Sequence, residues 1–471
     1  MMKNKAIKIS FIILSIMLVI PSIIYLIQNK TILEFNMYYN FFITENISKI
    51  ISTTIYLIIF TSLIAIYLTI VKKDLLKDIK EIIKYTGIIS IIFFAMLPWT
   101  SSDIFYYMGV GELNSVYKQN PYYITMKEFY EQNKENIQND TILEKGVNNV
   151  WADTTVVYGP VAQAIFTICT IISFKNVNIC LMIFKLLNIM VHLANCYLIY
   201  KITKKKKFAE LYGLNPFILL EFIGMVHNDI IVVFFVLLSI YFLIKKKNIY
   251  LSILFLALAT GIKYFTILLL PIIILYHFRK EEKLSIRFLR CVQYGVIFAL
   301  FIMLEYLVYF RDYQILFAMI VQTQKYSKSI YCVTLQIDKN LTQILKTIMQ
   351  LIFGIYYFRF CINLLTQKNI KFYKTMREYN IAIILFILIL TTCQQWYLIW
   401  LFATIMWQKP YMIKNIIEIS LITEIANSVY MYKTEWFKYD IYFYGIIIVL
   451  SLCWMILTDK NLNRKGIEEN G

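Results

Sequence analysis

Apolar runs close to the length that crosses a membrane recur along this 471-residue chain. A helix needs about 20 predominantly apolar residues to span the hydrocarbon core of a bilayer. Only 16% of the residues are charged, against about 25% in soluble domains. The sequence therefore predicts an all-α polytopic membrane protein. We expect the first run, Ile7–Ile27, to be a retained span, because it lacks a small-residue cleavage site.

The net charge of +18 is carried by lysine clusters that lie between the apolar runs. Such clusters are typical of cytoplasmic loops. We therefore interpret the positive charge as a sign of which loops face the cytoplasm and not as a nucleic-acid-binding surface. The loop Thr100–Val157, with four Lys against eight Asp or Glu, is predicted to lie outside. If Val161–Phe174 crossed the membrane, the cluster Lys204–Lys207 would lie outside too. We therefore predict that Val161–Phe174 is a re-entrant or surface helix.

This choice gives about 14 transmembrane helices, with a range of 12–14 because adjacent short runs can merge. We predict a single integral membrane domain over residues 1–471. Its predicted parts are three spans in 1–97, an outer loop with surface or re-entrant helices in 98–177, and the remaining spans in 178–471. The last span is predicted at Ile441–Leu457.

An acid stands just beyond the end of the third predicted span. Asp103 follows Trp99 by four residues at the start of the stretch Pro98–Tyr123. The residues after it, including Tyr106 and Tyr107, mix apolar and polar groups as in an amphipathic helix on a membrane surface, which two glycines are expected to loosen. We predict that Tyr106 and Tyr107 contact the substrate. A carboxylate where a membrane span meets the outside suits proton chemistry on a substrate that is half lipid and half sugar. The alternative is a solvated aspartate that caps a helix.

A polar stripe is predicted on one face of the helix that begins at Asn178. Its residues, spaced by three, four and three, are Lys185, Asn188, His192 and Asn195. Ionisable groups within a span cost about 2.5–3.5 kcal/mol at its centre and usually face a cavity or a partner. We predict that Lys185 and His192 contact the substrate. The alternative is a set of interhelical hydrogen bonds that serves packing alone.

A second polar group is predicted at the outer end of a tight hairpin, on the same side of the membrane as Asp103. It comprises Glu221, His227, Asn228 and Asp229. We predict that His227 and Asn228 bind the donor phosphate or another part of the substrate. The alternative for this group is a plain polar turn. Lys263, at the outer end of another short hairpin, is a lone cation at the level of a lipid phosphate, unless it is a snorkelling lysine.

An aromatic cluster is predicted at an outer membrane boundary. It contains Gln394, Gln395, Trp396, Tyr397 and Trp400. Aromatic rings stack on sugars, but an interfacial aromatic belt is the alternative. Glu305 and Glu424, within predicted spans, remain unassigned.

Cysteines, histidines and short motifs indicate no cofactor. The eight cysteines form no CxxC and no metal-binding spacing, and the chain contains no nucleotide-binding glycine motif. We predict no cofactor and leave a divalent metal open.

Several stretches together resemble glycosyltransferase superfamily C, especially bacterial polyprenol-phosphate-mannose-dependent mannosyltransferases. The resemblance covers Pro98–Trp407 and rests on SSDIFYYMGVGELNSVYKQNPYY, VYGP, NPFILLEFIGMVHND, GIKYFTILLLP, KYSKS and QQWYLIW, in that order. It departs from the family in having Lys185 where an arginine is expected and Gln394-Gln395 where a proline is common.

The resemblance implies a membrane transferase that takes a sugar, here mannose, from a polyprenyl-phosphate donor on the outer face of the plasma membrane. It implies that Asp103 is the catalytic acid of the first outer loop and that Asp229 is a second acid. The acceptor is expected to be a glycan or a lipid, and no nucleic acid is expected as a partner. We expect Lys263 or Lys185 to bind the donor phosphate. A transporter or flippase of a lipid-linked sugar and a structural assembly subunit are the alternatives.

Single-cysteine labelling tests the topology. A cysteine at position 206 is expected to stay unlabelled by an impermeant reagent in intact cells, because the surrounding lysines favour the cytoplasm. A cysteine in the Glu128–Glu144 loop is expected to react. Labelling at position 206 would overturn the arrangement and make Val161–Phe174 a true span.

Overall fold

The computed structural model of the chain describes residues 2–35, 46–137, 139–316, 325–427 and 453. The structure is 76% helix, and among the described residues the sole β contact is an isolated bridge between Ser327 and Thr392. The all-α prediction is therefore confirmed.

The helices in chain order are α1 (Met2–Asn29), α2 (Asn46–Lys73), α3 (Ile79–Phe94), α4 (Asp103–Ser115), α5 (Met126–Asn133), α6 (Thr141–Val147), α7 (Pro160–Ile171), α8 (Val177–Thr203), α9 (Lys206–Gly213), α10 (Pro216–Ile218), α11 (Asp229–Ile244), α12 (Ile249–Thr260), α13 (Leu270–His277), α14 (Leu284–Tyr306), α15 (Ile330–Ile337), α16 (Lys339–Thr366), α17 (Phe372–Ile389), α18 (Ile399–Phe402) and α19 (Pro410–Asn427). Shorter 3₁₀ turns are Lys134–Asn136, Tyr264–Leu269, Tyr313–Leu316, Gln395–Leu398 and Ile405–Trp407, and α10 continues into a π-helical turn at Leu219–Gly224.

Five described helices are long and apolar enough to cross a membrane, and a bent pair raises the number to six. The five are α1, α2, α8, α14 and α16. The predicted count of about 14 spans is thus not confirmed, since several predicted spans form helices of 8–18 residues. The last predicted span, Ile441–Leu457, lies outside the described residues except for Cys453.

The run predicted as a re-entrant or surface helix forms α7, which has 12 residues. At 1.5 Å per residue it is about 18 Å long, shorter than the roughly 30 Å hydrocarbon core. The side of the membrane on which it lies stays a prediction.

The chain divides into two compact units, which are described separately. The first comprises residues 1–267, 297–322 and 427–434, and the second comprises residues 268–296, 323–426 and 435–471, in each case as far as they are described. Within the second unit, α16 packs on α17. Arg287 donates to the carbonyl oxygens of Leu364 and Gln367 at the end of α16, where a cation suits the negative end of the helix dipole.

Helix α4 in the first unit corrects the expectation of an amphipathic surface helix. Every residue from Ile104 to Leu113 is buried, because α5, α6, α7 and α8 all pack against it. The Tyr107 ring stacks on that of Phe166 in α7, with centroids 4.6 Å apart. A helix covered on all sides by protein holds its first residue in a fixed position.

The glycines of α4 do not loosen it, since the helix runs unbroken past them. A Cβ atom at Gly111 would lie 2.6 Å from the backbone carbonyl oxygen of Phe166. The glycine therefore serves the close approach of α4 to α7, a packing role that glycine fulfils because it has no side chain.

Candidate active site

The site is built around a break in a buried helix pair. The segment Pro216–Gly224 and helix α11 meet at 114° across the break at 225–228. Val226 within it has a φ of +67°, a conformation that is an outlier for a β-branched residue. All residues from Leu219 to Asp229 are buried. Because a broken helix leaves carbonyl groups without partners of its own, other side chains must satisfy them.

The polar stripe of α8 supplies those partners. Lys185 donates to the carbonyl oxygens of Ile223 and Gly224, each at 2.9 Å. Asn188 donates to those of Phe222 at 2.8 Å and His227 at 3.2 Å. The stripe thus holds the break in place, and a cation at the end of the π-helical turn also suits the turn's dipole.

The remaining two residues of the stripe bind the flanks of the same segment. The His192 Nε2 atom lies 3.0 Å from the carbonyl oxygen of Gly213, and Asn195 donates to Tyr212 and to the carbonyl oxygen of Ile230. Lys185 and His192 are both buried. The geometry favours the interhelical hydrogen-bonding interpretation for both residues, and their binding of substrate stays a prediction.

Asp103 is the first residue of α4 and points towards this break. Its Oδ2 atom lies 3.7 Å from the Nδ1 atom of His227, and the Trp151 indole donates a hydrogen bond to it. Burial raises the pKa of Asp103 above its usual value, while the His227 imidazole, when it carries a second proton, and the Lys263 ammonium lower it. The side chain keeps 17% of its surface exposed, which makes it the accessible carboxylate of the group.

His227 and Glu221 lie behind Asp103. Their side chains are completely buried, and the Nε2 atom of His227 is 3.1 Å from Oε2 of Glu221. The next residue, Asn228, is also buried, and its amide atoms have no hydrogen-bond partner among the described residues. A buried polar group without a partner is costly in a folded protein, so Asn228 is a candidate to contact a ligand.

Lys263 and Asp229 form a second charged pair. The Lys263 ammonium lies 2.7 and 2.8 Å from the two carboxylate oxygens of Asp229, and it also lies over the ring of Tyr158, 5.8 Å from the centroid. Asp229 is fully buried, whereas the Lys263 side chain is 14% exposed. The sequence prediction of a lone cation is therefore incomplete, because a buried carboxylate accompanies it.

The VYGP stretch that leads into α7 and the GIK stretch after α12 meet at this pair. The backbone N–H groups of Val161 and Ala162, in the first turn of α7, donate to the carbonyl oxygen of Gly261. A Cβ atom at Gly261 would collide with Val161 and with the Glu305 carboxylate, so the close approach requires glycine. This contact brings Tyr158 and Lys263 together.

Tyr106 and Tyr107 line the neighbouring turn of α4. The Tyr107 and Tyr158 hydroxyl groups lie 3.3 Å apart and their rings pack edge to face, while Tyr106 donates to the carbonyl oxygen of Thr154. Both tyrosines are buried. They build the wall beside Asp103, and a direct contact with substrate stays a prediction for them.

A protein-family model matches residues 13–279, which is more than half of the chain, and its description is Alpha-(1->6)-mannopyranosyltransferase, N-terminal domain, of the MptA_B family. The chain belongs to this family. The match confirms the resemblance noted in the sequence and supports a membrane mannosyltransferase, which requires a sugar donor and an acceptor. No curated protein and no solved structure matches the chain.

The mannosyltransferase family match includes the whole cluster described above, from Asp103 to Lys263. It does not extend to Gln395, Trp396 and Tyr397, which belong to the second unit. There the Tyr397 and Trp400 rings stack with centroids 4.5 Å apart. A sugar-binding role for these residues, on the same side of the membrane as Asp103, stays a prediction.

Trp151 and Tyr158 contact the cluster, yet neither was predicted as a site residue, and Tyr158 was noted only as part of the VYGP stretch. Trp151 is a lone tryptophan in a polar, acidic loop, and Tyr158 stands beside the glycine and proline that start α7. An aromatic residue in a polar loop is the signal that these positions offered. Within the described ranges no group of three His, Cys, Asp or Glu could hold a metal ion.

Breaking the Lys263–Asp229 pair tests its structural contribution. Lys263→Met leaves a buried carboxylate uncompensated, at a cost of about 3–5 kcal/mol. Lys263→Met is therefore expected to lower the thermal unfolding midpoint of the detergent-solubilised protein. The double variant Lys263→Met/Asp229→Asn is expected to recover most of the loss.

The control is Lys201→Met at the far end of α8, which is expected to change stability by at most about 0.5 kcal/mol. A Lys263→Met protein as stable as the wild type would show that the pair contributes nothing. A double variant as unstable as Lys263→Met would show that the loss has another cause.

Proposed function

We propose that this protein transfers mannose from a polyprenyl-phosphate donor to a glycan or lipid acceptor, with Asp103 as the catalytic base, on the extracytoplasmic face of the plasma membrane. The observation that carries the proposal is the position of Asp103. It is the partly exposed carboxylate of a buried group that also contains an imidazole and an ammonium. A base must reach the substrate, and a developing negative charge requires a nearby cation.

The proposed reaction is a single displacement at the anomeric carbon. The acceptor hydroxyl gives its proton to Asp103 while its oxygen forms the bond to that carbon. The bond from the anomeric carbon to the phosphate oxygen breaks, and its electron pair leaves with the polyprenyl phosphate. Because the donor is lipid-linked, the reaction needs no nucleotide-binding motif.

Lys263 is the group best placed to stabilise the leaving phosphate. Its ammonium is partly exposed, whereas the buried Lys185 ammonium is engaged by two carbonyl oxygens. Asp229 holds Lys263 through both carboxylate oxygens, which supports a positioning role for this second acid. Charged hydrogen bonds of this kind are strongest where water is excluded.

The alternative is a transporter or flippase that moves a lipid-linked sugar without chemistry. Family membership favours the transferase, and the sequence shows no paired repeats of the kind common in transporters. Purified protein that converts donor and acceptor into a glycosylated product excludes the alternative, because a flippase alone forms no product.

Substitution of Asp103 tests the mechanism. Asp103→Asn keeps the shape of the side chain but cannot accept the proton, and positioned acid–base groups contribute about 10²- to 10⁴-fold in rate. The turnover number is expected to fall by at least that order, with normal expression and retained donor binding. In the wild type, activity is expected to fall as the pH drops through the pKa of Asp103, which burial places above the usual aspartate value.

Glu112→Gln, on the same helix, is the matched control. Burial and the neighbouring Asp140 carboxylate raise the pKa of Glu112 to about 8, so its side chain is largely neutral at pH 7 and a neutral amide changes little. A much smaller loss is expected than for Asp103→Asn. Near wild-type transfer by Asp103→Asn would refute the mechanism and make Asp229 the next candidate.

A further inference from the structure

His227 stands between two carboxylates. Its Nε2 atom lies 3.1 Å from Glu221 and its Nδ1 atom 3.7 Å from Asp103. The exposed fraction of the side chain falls from 17% at Asp103 to zero at His227 and Glu221. The three groups therefore form a line that runs from an accessible carboxylate into the protein interior.

We infer that Glu221, His227 and Asp103 form a proton relay, in which His227 takes up the proton that Asp103 removes from the acceptor and Glu221 stabilises the resulting imidazolium. The inference rests on the proposed function, since it assumes Asp103 as the base. In this inference His227 and Glu221 act through Asp103 and are positioning residues, so His227 takes a different role from the substrate contact that the sequence predicted.

The protonation pattern follows from which atoms face each other. Glu221 beside Nε2 favours the tautomer that carries its proton on that nitrogen. The lone pair of Nδ1 then faces an oxygen of Asp103. Both atoms are hydrogen-bond acceptors, so they attract each other only when a proton lies between them. The Asp103–His227 pair is thus a site for one additional proton. The 3.7 Å separation is longer than a hydrogen bond, as is common for catalytic contacts without substrate.

The surrounding backbone fixes the imidazole in this position. The His227 N–H donates to the carbonyl oxygen of Glu221, Asn188 donates to the carbonyl oxygen of His227, and the preceding Val226 has a positive φ. Strained backbone persists only where its surroundings over-determine it, and such positions cluster at functional sites. The backbone at the break thus fixes the direction in which the His227 side chain points.

The proton of the acceptor hydroxyl moves to Asp103 as the new glycosidic bond forms, and it then passes from the Asp103 oxygen to Nδ1 of His227. Asp103 becomes a carboxylate again, and His227 becomes an imidazolium beside Glu221. When product has left, the proton returns through Asp103 to water.

The pH dependence of transfer tests the relay. The titratable groups that act on Asp103 are His227, Lys263 and Asp229, and Glu221 faces His227 from the other side. Glu221→Gln removes a negative charge that favours proton uptake by the Asp103–His227 pair. The acid limb of the kcat/KM profile is expected to shift to lower pH by about one unit or more.

His227→Gln is expected to lower kcat about 10- to 100-fold while the KM for the donor changes less than about threefold, because the imidazole contacts the base and not the donor. His277→Gln, at the third histidine of the chain, is the control and is expected to keep wild-type kinetics. Unfolding midpoints of all variants separate these effects from misfolding. If His227→Gln does not fold, the profile of the nearly isosteric Glu221→Gln decides.

A wild-type pH profile in Glu221→Gln would overturn the relay, as would wild-type kcat in a folded His227→Gln. If Asp103→Asn is inactive while the pH profile of Glu221→Gln and the kcat of His227→Gln match the wild type, the relay is wrong and the base assignment stands. If Asp103→Asn transfers mannose normally, the proposed function fails first and the relay fails with it.

Discussion

The site depends on the hydrogen bonds that close a break in a buried helix pair. Between Gly224 and Asp229 the chain leaves helical geometry in an interior where an unpaired carbonyl group costs about 1–3 kcal/mol. Lys185 and Asn188 on α8 donate to four carbonyl oxygens in and just before this segment. A packing feature of one helix therefore permits an irregular backbone in another, which is tolerated away from water only where protein covers it.

The irregular backbone brings charged side chains together that a straight helix would separate. His227 and Asp229, two positions apart, each face a partner from a different element, Asp103 at the start of α4 and Lys263 after α12. Each carboxylate of the cluster has a cation or an imidazole within 4 Å, which limits the cost of burying it. The enclosed helix α4 and the contact of α7 with Gly261 hold these elements in fixed positions relative to one another.

Much of this arrangement follows from residue patterns. Charge asymmetry and apolar runs predicted a helical membrane protein, and the placement of Asp103, His227, Asp229 and Lys263 singled out the residues that meet in the structure. Pairing could not be predicted, because a one-dimensional pattern does not say that Lys263 faces Asp229 or that Trp151 donates to Asp103. The role of the α4 glycines was misjudged for a related reason. A glycine that breaks a helix and one that admits a neighbouring helix look alike in sequence, and the contact of Gly111 with Phe166 is visible only in three dimensions.

The most direct test of this account is an experimental structure of the protein in a lipid nanodisc with polyprenyl phosphate, the leaving group of the proposed reaction. We expect a phosphate oxygen within about 2.7–3.2 Å of the Lys263 ammonium, on the side of the site that Asp103 faces. A phosphate bound away from Lys263, with the Lys263–Asp229 pair unchanged and Asp103 remote from it, would contradict the account.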